Sequence, residues 1–453
     1  MPPEITVDAL VAGAGISGLA AAHELQAAGC EVLVIDPSDR PGGVMRTEHR
    51  GGYIFESGPN TAQVKAPMRA FLERRHLEDA LRPASPASRK RWLFRDGALQ
   101  PVPSSVLGFL RTPLLSTRAK LSVLAEPLRS RGKGEPESVR EFTARRLGPE
   151  VADRLVGPFL TGVYAGDENE LGAEAVFPSL VEAERRSGSV LLGSLGQRGP
   201  KGLPGSRSSE DGFGPFARRL AEALHEPPAM GSRVAGLYRD GDRWHVDVAS
   251  PSGDSAIKAQ RVVVATPSFD AAQLVLGIDG EVAAALEAIP YAPMVVAPLG
   301  VEPAQVRTPI DGFGFLVPRT EDLGLLGCLY MSQLFPGRAP AGHELLHCML
   351  GGVRWPEAVE LPDDTLAETL ARDLETTLGL RDMPEPLAWV RWPRAVPQPD
   401  RHHAERMRWI ASRLEASPGL ALAGNYVAGV GVADALASGV AAAERVLASV
   451  AID

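Results

Sequence analysis

Residues 7–19 read VDALVAGAGISGL, and this stretch decides the fold of the chain. Its first six residues are mostly apolar and predict a short buried strand. Three glycines, Gly13, Gly15 and Gly18, follow with the spacing G-x-G-x-x-G. In a βαβ unit this spacing forms the turn between the first strand and the first helix, where the pyrophosphate of a dinucleotide binds.

The residues of this turn have different physical tasks. Gly13 permits the tight turn, Gly15 lets the backbone approach a pyrophosphate, and Gly18 allows the helix to pack closely on the strand. The helix is predicted over residues 19–28. Its free N–H groups and the partial positive charge of its N-terminus attract phosphate.

A second predicted strand, 31–35, ends at Asp36, which is followed by Pro37. A carboxylate at this position accepts hydrogen bonds from a ribose diol and repels a 2′-phosphate, so FAD or NAD is favoured over NADP. Residues 40–43 then read RPGG, and residues 55–60 read FESGPN. With the preceding turn, this order resembles the flavin amine oxidase superfamily, in which paired glycines let a second loop pass close to the flavin. The cofactor is therefore expected to be FAD.

Size, charge and cysteine content narrow the class of protein. The chain has 453 residues, 44% of them hydrophobic, which predicts more than one domain. A net charge of −9 argues against nucleic acid as a main partner, because phosphate binding needs a basic surface. Three distant cysteines, Cys30, Cys328 and Cys348, predict no disulfide framework and fit a reducing compartment. We expect neither a secretory signal nor a membrane-spanning stretch, and hence a cytoplasmic location.

Hydrophobic patterning divides the rest of the chain. Helical patterns dominate residues 86–200, and a β-hairpin is predicted near 233–248. A helix is predicted near 366–378. The apolar strand 420–424 is followed by a glycine-rich turn and a helix from Val432, which repeats the order of the first segment. We therefore predict that the two ends of the chain meet in one sheet with the cofactor between them.

Further stretches resemble one family over nearly the whole chain. The opening turn is shared by many flavoenzymes, but the later stretches resemble the oxygen-dependent protoporphyrinogen oxidases of the flavin amine oxidase superfamily. These stretches are RRLGPE (145–150), GVYAG (162–166), FPSL (177–180), GFGFLVP (312–318), MLGG (349–352), AGN (423–425) and GVGV (429–432).

The resemblance implies an α/β fold in which a Rossmann-like FAD-binding domain, discontinuous in sequence, joins an α+β substrate domain and a mainly helical membrane-associating domain. The FAD-binding domain is expected at 1–84, 205–285 and 420–453, the helical domain at 86–200, and the substrate domain at 286–419. The implied reaction is the oxidation of protoporphyrinogen IX to protoporphyrin IX in haem synthesis. Three hydrides would pass to flavin N5, and O2 would reoxidise the flavin to give H2O2.

The resemblance also assigns substrate contacts. Arg91 matches the group that holds a propionate, and the Arg fork suits a carboxylate. Phe313 and Leu316 match the residues that sandwich a pyrrole ring. Met349 matches an apolar contact above the flavin, and Gly162 matches a carbonyl near the pyrrole N–H groups.

A second set of residues is expected to lie at the cofactor. The helix that begins near Val432 would point its positive end at the flavin. Asn60 is placed in the loop beside the flavin ring and is counted with the substrate contacts. The cofactor contacts are Gly13, Gly15, Ile16, Ser17, Gly18, Asp36, Pro37, Arg40, Gly42, Gly43, Gly58, Pro59, Val234, Thr266, Gly424, Gly431 and Val432.

Two positions depart from the family pattern. Ala433 stands where an Asn is usual, and Pro399 stands where a Tyr is usual. Both lie in segments that hold the flavin or line its cavity. Three alternatives therefore stay open: a coproporphyrinogen III oxidase, a flavin amine oxidase, and a non-catalytic flavoprotein that binds porphyrin.

The remaining expectations concern partners and metals. Residues 343–347 read HELLH and match the zinc motif H-E-x-x-H, which requires a helix. The surrounding pattern predicts a strand, on which the two histidines would lie about 13 Å apart, so no metal is expected. The apolar stretch 106–110 with neighbouring Arg111 and Lys120 predicts a peripheral contact with the cytoplasmic face of the inner membrane. Hand-off of product to a ferrochelatase and a homodimer are also expected.

Overall fold

The computed structural model describes residues 5–132, 134–195 and 202–450 of the chain. Two seven-stranded sheets dominate these residues. Some predicted domains begin or end at residues 1–4, 196–201 or 451–453. These residues lie outside the described part of the chain.

The first sheet is built from both ends of the chain, as the sequence predicts. Its central strands are parallel, and an antiparallel hairpin extends one side. The last strand pairs with the strand 255–264 through Val262 to Val264, directly beside the partners of the first strand. The strands in spatial order are Ala229–Met230, Val32–Asp36, Ile5–Ala12, Ser255–Val264, Arg243–Ala249 and Arg233–Asp240, with Leu420–Leu422 alongside the end of Ser255–Val264.

Two long helices cover one face of this sheet and pack on each other. The first helix, Ile16–Ala27, starts three residues earlier than residue 19, and the last helix is Val432–Ser449. A Cβ on Gly439 would lie 1.9 Å from the carbonyl oxygen of Ser17, so only glycine allows this approach. Each helix follows a strand that is parallel to Ser255–Val264, so the N-termini of both helices lie at the carboxyl edge of these strands.

The second sheet forms the other half of the molecule. Its strands are antiparallel except for one parallel pair, and the helix Asp363–Leu378 packs its buried leucines against one face. The strand predicted around the HELLH stretch and the helix predicted near 366–378 are both confirmed. The strands in spatial order are Val390–Pro397, Tyr291–Val301, Glu344–Gly351, Leu325–Tyr330, Gly314–Leu316, Trp92–Arg95 and Ala98–Pro101.

Two segments lie in a different half of the molecule from the one in which the predicted domain limits placed them. The hairpin 92–101 was expected in the helical domain, but Trp92 pairs with Phe315 at the edge of the second sheet. The helix His403–Arg413 was expected in the substrate domain, but its Ile410 is buried in the core of the first sheet. Each segment packs where its apolar side chains are buried. The sequence does not show which surface buries them.

The segment between the halves is mainly helical, as predicted. The RRLGPE stretch supports it, because fully buried Arg146 pairs with fully buried Glu126, and Arg145 bridges Glu137 and Glu184. No described helix combines the length and the apolar character that crossing a membrane requires. The helices are Val106–Arg111, Thr117–Leu124, Val139–Leu147, Pro149–Val151, Gly157–Tyr164, Ala173–Val176, Pro178–Ser187 and Val190–Leu195.

Shorter elements complete the fold. Two small sheets and several helices flank the first large sheet, and one short helix follows the strand Leu325–Tyr330. The small strands are Thr47–Arg50, Tyr53–Glu56, Ala62–Gln63, Arg82–Pro83 and Ser206–Ser208, and the helices are Ala66–Arg74, Phe213–Glu222, Ser268–Val275, Gly280–Glu287 and Met331–Leu334.

Candidate active site

The carboxyl ends of three parallel strands meet at the predicted cofactor residues Gly13, Thr266 and Gly424. Gly13 has a φ of 110°, and a Cβ there would lie 2.7 Å from the carbonyl oxygen of Ala265. The Gly424 N–H donates to the Ser438 hydroxyl at 2.9 Å, which anchors the last strand to the last helix. Ligands of open α/β sheets bind at this edge, so the strands place the site where a dinucleotide is expected.

The turn into the first helix leaves room for a phosphate. Gly15 is the N-cap of this helix and no side chain caps it. A Cβ on Gly15 would meet no atom within 4 Å, whereas a Cβ on Gly18 would lie 1.8 Å from the Gly13 carbonyl oxygen. Gly18 is thus required for packing, and the space over Gly15 and the N–H groups near Ile16 and Ser17 is free for a ligand.

The RPGG loop lies directly against this turn. The Gly42 N–H donates to the Ala14 carbonyl at 2.8 Å, and a Cβ on Gly43 would lie 3.4 Å from Gly15 Cα. Arg40 donates to the carbonyls of Met45 and Gly43 at 3.1 and 3.2 Å. The guanidinium therefore holds the loop in shape, a contribution that the sequence did not reveal.

Asp36 ends its strand as predicted and is buried. One carboxylate oxygen accepts the Ala14 N–H at 2.7 Å and the other accepts the Ser38 N–H at 2.8 Å. Each oxygen has a second lone pair with which to accept a bond from a ribose hydroxyl. Exposed Pro37 follows, and buried Val234 lies near this end of the strand because the Ser232 N–H donates to the Asp36 carbonyl at 3.1 Å.

The last helix presents a second open N-terminus to the cleft. Gly431 is its N-cap, no side chain caps it, and Val432 begins the helix. Lys65 pairs with Asp434 in the first turn at 2.6 Å. Ala433, at the first departure from the family pattern, is buried. An 18-residue helix with an uncapped N-terminus gives a partial positive charge suited to an electron-rich ring edge.

The residues present therefore fit FAD. Two helix N-termini without side-chain caps, an open space over Gly15 and the carboxylate of Asp36 lie at one sheet edge. The loop through Gly58 and Pro59 borders them, and a Cβ on Gly58 would lie 2.0 Å from the Val44 carbonyl oxygen. The first helix would hold the pyrophosphate, Asp36 the ribose, and the last helix the flavin end.

The predicted substrate residues lie on the second sheet. Leu316 lies opposite Gly327, and Gly327 lies opposite Met349, so the three form one row across neighbouring strands. Residues directly opposite in a sheet point to the same face. The side chains of Leu316 and Met349 therefore share the face away from the core that contains Phe315 and Cys348.

The helix Gly157–Tyr164 covers this face at its C-terminal end. A Cβ on Gly162 would lie 2.4 Å from Leu316 Cδ2, so Gly162 and Leu316 are in contact. Ala165, one residue after the helix, packs with Met349. Gly162 lies in the last turn, where backbone carbonyls have no partner within the helix, so its oxygen suits an N–H donor.

Arg91 and Phe313 lie at the far edge of the same sheet. The Arg91 guanidinium lies 4.8 Å from the centre of the Phe313 ring, and the Phe313 N–H donates to the Lys90 carbonyl at 2.7 Å. No ion pair with a carboxylate is found for Arg91 within the described ranges of the chain. This geometry leaves the guanidinium fork available to a substrate carboxylate.

Asn60 links the cofactor loop to the second sheet through a residue that the sequence analysis did not select. Its amide nitrogen lies 3.0 Å from Nε2 of His347, which is fully buried on the strand Glu344–Gly351. His347 was considered only as part of H-E-x-x-H. That stretch is a strand, as predicted, with His343 outside it and partly exposed, and no group able to hold a metal is found among the described residues.

A cavity of about 560 Å³ beside this loop contains further residues that the sequence analysis missed. Arg46 and Trp392 line it with Ser57, and the indole of Trp392 donates to the Ser57 carbonyl at 2.7 Å. Arg46 was detectable in principle, because it follows Gly42 and Gly43 by a few residues. Trp392 was not, because only strand pairing brings it to residue 57.

Comparison with known proteins supports the same class. A model of the flavin containing amine oxidoreductase family matches residues 16–447. Protoporphyrinogen oxidase of Homo sapiens is 33% identical over 97% of this chain and 98% of its own length. Chloroplastic protoporphyrinogen oxidase of Nicotiana tabacum is 31% identical over 94% of this chain and 83% of its own length.

Solved structures share the fold at lower identity. A structure from Exiguobacterium sp. 255-15, described as a candidate protoporphyrinogen oxidase, covers 98% of both chains with a TM-score of 0.79 and 24% identity. Reduced UDP-galactopyranose mutase covers 98% of this chain and 96% of its own, with a TM-score of 0.71 and 18% identity. Enzymes with different reactions thus share this architecture, and the architecture alone does not define the substrate.

We call the turn through Gly13 and Gly18, the carboxylate of Asp36 and the N-terminus of the last helix the cofactor cradle. The fold, this cradle and the family match together define an FAD-dependent oxidoreductase of the flavin containing amine oxidoreductase class. Within that class, the chain belongs to the protoporphyrinogen oxidase family, because relatives of that name match nearly its whole length at 30% identity or more. The predicted family, the α/β fold class with its FAD-binding fold, and the cofactor are confirmed, while the membrane-associating role of the helical domain stays a prediction.

Proposed function

We propose that this protein oxidises protoporphyrinogen IX to protoporphyrin IX with O2 as the final acceptor. Six hydrogen atoms leave the macrocycle in three two-electron steps, so three O2 become three H2O2. FAD, when bound, accepts a hydride in each step and passes the electrons to O2. The observation that carries the proposal is the convergence of Arg91, Phe313, Leu316, Gly162 and Met349 on one wall.

Each part of this wall has a task in holding the macrocycle. Arg91 binds a propionate, and Phe313, beneath the guanidinium, contacts the adjacent pyrrole together with Leu316. The Gly162 carbonyl accepts a pyrrole N–H in the last turn of its helix. Met349 excludes water between the macrocycle and the flavin position. Orientation and water exclusion are what the protein supplies, because the cofactor performs the redox chemistry.

Protoporphyrinogen is favoured over coproporphyrinogen, which has four carboxylates. Relatives named protoporphyrinogen oxidase, from plants and mammals, match most of the chain. On the substrate wall, Arg91 is the guanidinium with an open fork, while Lys90 beside it is paired with Asp311. One strong anchor suits a substrate with two adjacent propionates better than one with carboxylates on every side.

The test is a direct comparison of the two substrates. Purified FAD-loaded protein is given protoporphyrinogen IX or coproporphyrinogen III, and porphyrin fluorescence and H2O2 are recorded together. The proposal expects kcat/KM at least about tenfold higher for protoporphyrinogen IX, equivalent to about 1.4 kcal/mol, and three H2O2 per porphyrin formed. Equal or reversed preference would contradict the assigned substrate, and bound flavin without H2O2 would favour a non-catalytic porphyrin-binding protein.

We also propose a peripheral membrane contact through the helices Val106–Arg111 and Thr117–Leu124. Three apolar side chains on these helices, Val106, Leu121 and Leu124, are at least 60% exposed, and so is Leu128 in the short helical turn Glu126–Leu128 that follows. Phe109 of the predicted stretch is half-buried and packs against Leu115 and Ala119, so it supports the helices instead. Exposed leucines beside basic residues are typical of an interfacial surface.

Liposome flotation tests the contact with Leu124→Glu, and Leu276→Glu serves as the control because Leu276 is 58% exposed on the first half. The proposal expects loss of flotation for Leu124→Glu alone; equal flotation of both variants would remove it. The expected cytoplasmic location, hand-off to a ferrochelatase and homodimer stay predictions.

A further inference from the structure

The contact between Asn60 and His347 leaves two polar atoms unsatisfied. The amide nitrogen of Asn60 lies 3.0 Å from Nε2 of His347. The other polar atom of each side chain, Asn60 Oδ1 and His347 Nδ1, is buried and has no hydrogen-bond partner among the described residues. Buried polar atoms in folded proteins almost always have a hydrogen-bond partner, so the unpartnered acceptor Asn60 Oδ1 points to a ligand that donates to it.

The chemistry of the pair fixes which atoms are donors. Burial lowers the pKa of His347 to about 4, so its ring is neutral at physiological pH. When the Asn60 amide N–H donates to Nε2, the neutral ring carries its proton on Nδ1. Asn60 Oδ1 is then a free acceptor, and His347 Nδ1–H is a free donor.

The position of the pair connects the two halves of the site. Asn60 lies two residues after Gly58 in the cofactor loop, and its amide nitrogen also approaches the Gly58 carbonyl at 3.4 Å. His347 lies two residues before Met349 on the same strand, so both side chains point to the same face of the second sheet. The pair thus lies at the junction of the cofactor loop and the substrate wall.

We propose that His347 is a positioning residue that fixes the Asn60 amide so that Asn60 Oδ1 accepts a hydrogen bond from a pyrrole N–H of the substrate. This inference rests on the proposed function. Asn60 and the Gly162 carbonyl then provide two acceptors for the inner N–H groups of the macrocycle. With both engaged, the ring is held in one orientation relative to the flavin position, and the geometry for hydride transfer is set.

A double-mutant cycle tests the inference in the holoenzyme. The variants are Asn60→Leu, His347→Leu and the double variant, with His347→Gln as the conservative replacement, because a Gln carbonyl can accept from the Asn60 amide. We expect each Leu variant to lower kcat by roughly 10- to 100-fold with unchanged FAD content. The double variant should be no slower than Asn60→Leu alone, and His347→Gln should recover kcat to within about threefold of wild type.

Leu346→Val is the matched control, because Leu346 neighbours His347 but points into the opposite core. It should change thermal stability without changing kcat per bound flavin. Additive losses in the double variant, or full kcat in His347→Leu, would overturn the inference. A loss shared by His347→Gln and His347→Leu would also overturn it, because it would indicate a packing role.

A readout without substrate separates this inference from the proposed function. ¹⁵N NMR of histidine-labelled protein, assigned with His347→Gln, should show a neutral ring protonated on Nδ1 that shifts in Asn60→Leu. If wild-type protein oxidises no porphyrinogen, the proposed function fails and the substrate role of the pair fails with it. If turnover is normal but the ring is protonated on Nε2, the positioning geometry alone is contradicted.

Discussion

The two halves of the molecule acquire their functional residues in opposite ways. In the first half, Gly13, Gly15, Gly18 and Asp36 lie within 24 residues of sequence and form one continuous cradle. In the second half, Arg91 and Met349 are far apart in sequence and are brought to one wall by strand pairing. The cradle is thus a local structure, and the wall exists only after the sheet has formed.

This difference predicts how each half responds to substitution. Backbone groups do the binding in the cradle, so added atoms there should act on cofactor affinity directly. Side chains from several strands form the wall, so single changes there should alter substrate handling while FAD stays bound.

Gly15→Val should give the largest effect. The Gly15 backbone is extended, with φ −70° and ψ 176°, and its Cβ would meet no protein atom, so the fold should tolerate the change. The added side chain occupies the space for a pyrophosphate, and FAD affinity should fall by about 100-fold or more. Flavin fluorescence titration of the apoprotein measures this, with Gly277→Val, another glycine with open space, as the control.

Retention of full FAD affinity in Gly15→Val would contradict the placement of the pyrophosphate. Circular dichroism of the apoprotein separates this result from misfolding. A Gly18→Val variant should instead lose the fold itself, because its Cβ would lie 1.8 Å from a backbone oxygen.

Gly162→Ala should act on the wall while leaving the cradle intact. The new methyl group would lie 2.4 Å from Leu316 Cδ2 and push this side chain toward the substrate. We expect kcat/KM for protoporphyrinogen IX to fall by roughly tenfold with unchanged FAD content. Because the methyl group acts through Leu316, Gly162→Ala/Leu316→Ala should be no worse than Leu316→Ala alone. If the losses in kcat/KM of the two single variants multiply in the double variant, Gly162 and Leu316 do not act through one contact.

Arg91→Ala should mainly raise KM. Loss of the guanidinium removes a charge-assisted bond to a propionate, so KM should rise by about tenfold while kcat changes little. Arg89→Ala is the control, because Arg89 is an exposed arginine two residues away. Steady-state kinetics with the free acid and the dimethyl ester of the substrate provide the decisive contrast. An Arg91→Ala effect of equal size on the ester would mean that Arg91 does not bind the carboxylate.

Acid should destabilise both halves gradually. Burial lowers the pKa of His23, His347 and His403 below the ordinary value near 6.5. Below that value the unfolded chain binds protons that the folded chain does not, so stability falls as pH drops from about 6.5 toward 4. Each group contributes up to about 1.4 kcal/mol per pH unit.

Urea unfolding at pH 7, 6 and 5 measures this loss. His23→Gln should make the decline shallower, because Gln does not titrate and can still donate to the Leu220 carbonyl that His23 contacts at 2.8 Å. An unchanged slope in His23→Gln would show that folding does not lower the pKa of this histidine.

The contrast between the halves also explains what sequence reasoning found. The glycine spacing predicted the βαβ unit, and the apolar run before Gly424 predicted the last strand, because both patterns are local. The domain division placed residues 92–101 with the helical segment, whereas they form a hairpin on the second sheet, because Trp92 pairs with Phe315 over 200 residues away. Nothing in the local pattern distinguishes a sheet-edge hairpin from a turn between helices.

Single residues show the same limit. The cofactor contact of Arg40 stays a prediction, and the sequence did not show that Arg40 also holds its own loop through the carbonyls of Gly43 and Met45, because those bonds depend on the fold of the loop. His347 was set aside once the zinc motif was rejected, although its strand brings it to Asn60. A buried polar residue in an apolar strand was the available signal, because such residues need a partner.

Anaerobic titration of the FAD-loaded protein with protoporphyrinogen IX tests the central claim most directly. We expect at most one equivalent of substrate to bleach the visible absorption of the flavin, because each substrate supplies up to three two-electron reductions and each FAD accepts one. After O2 is admitted, protoporphyrin and H2O2 should accumulate in a ratio of one to three. Protein that binds FAD but whose flavin remains oxidised under excess protoporphyrinogen IX would contradict it.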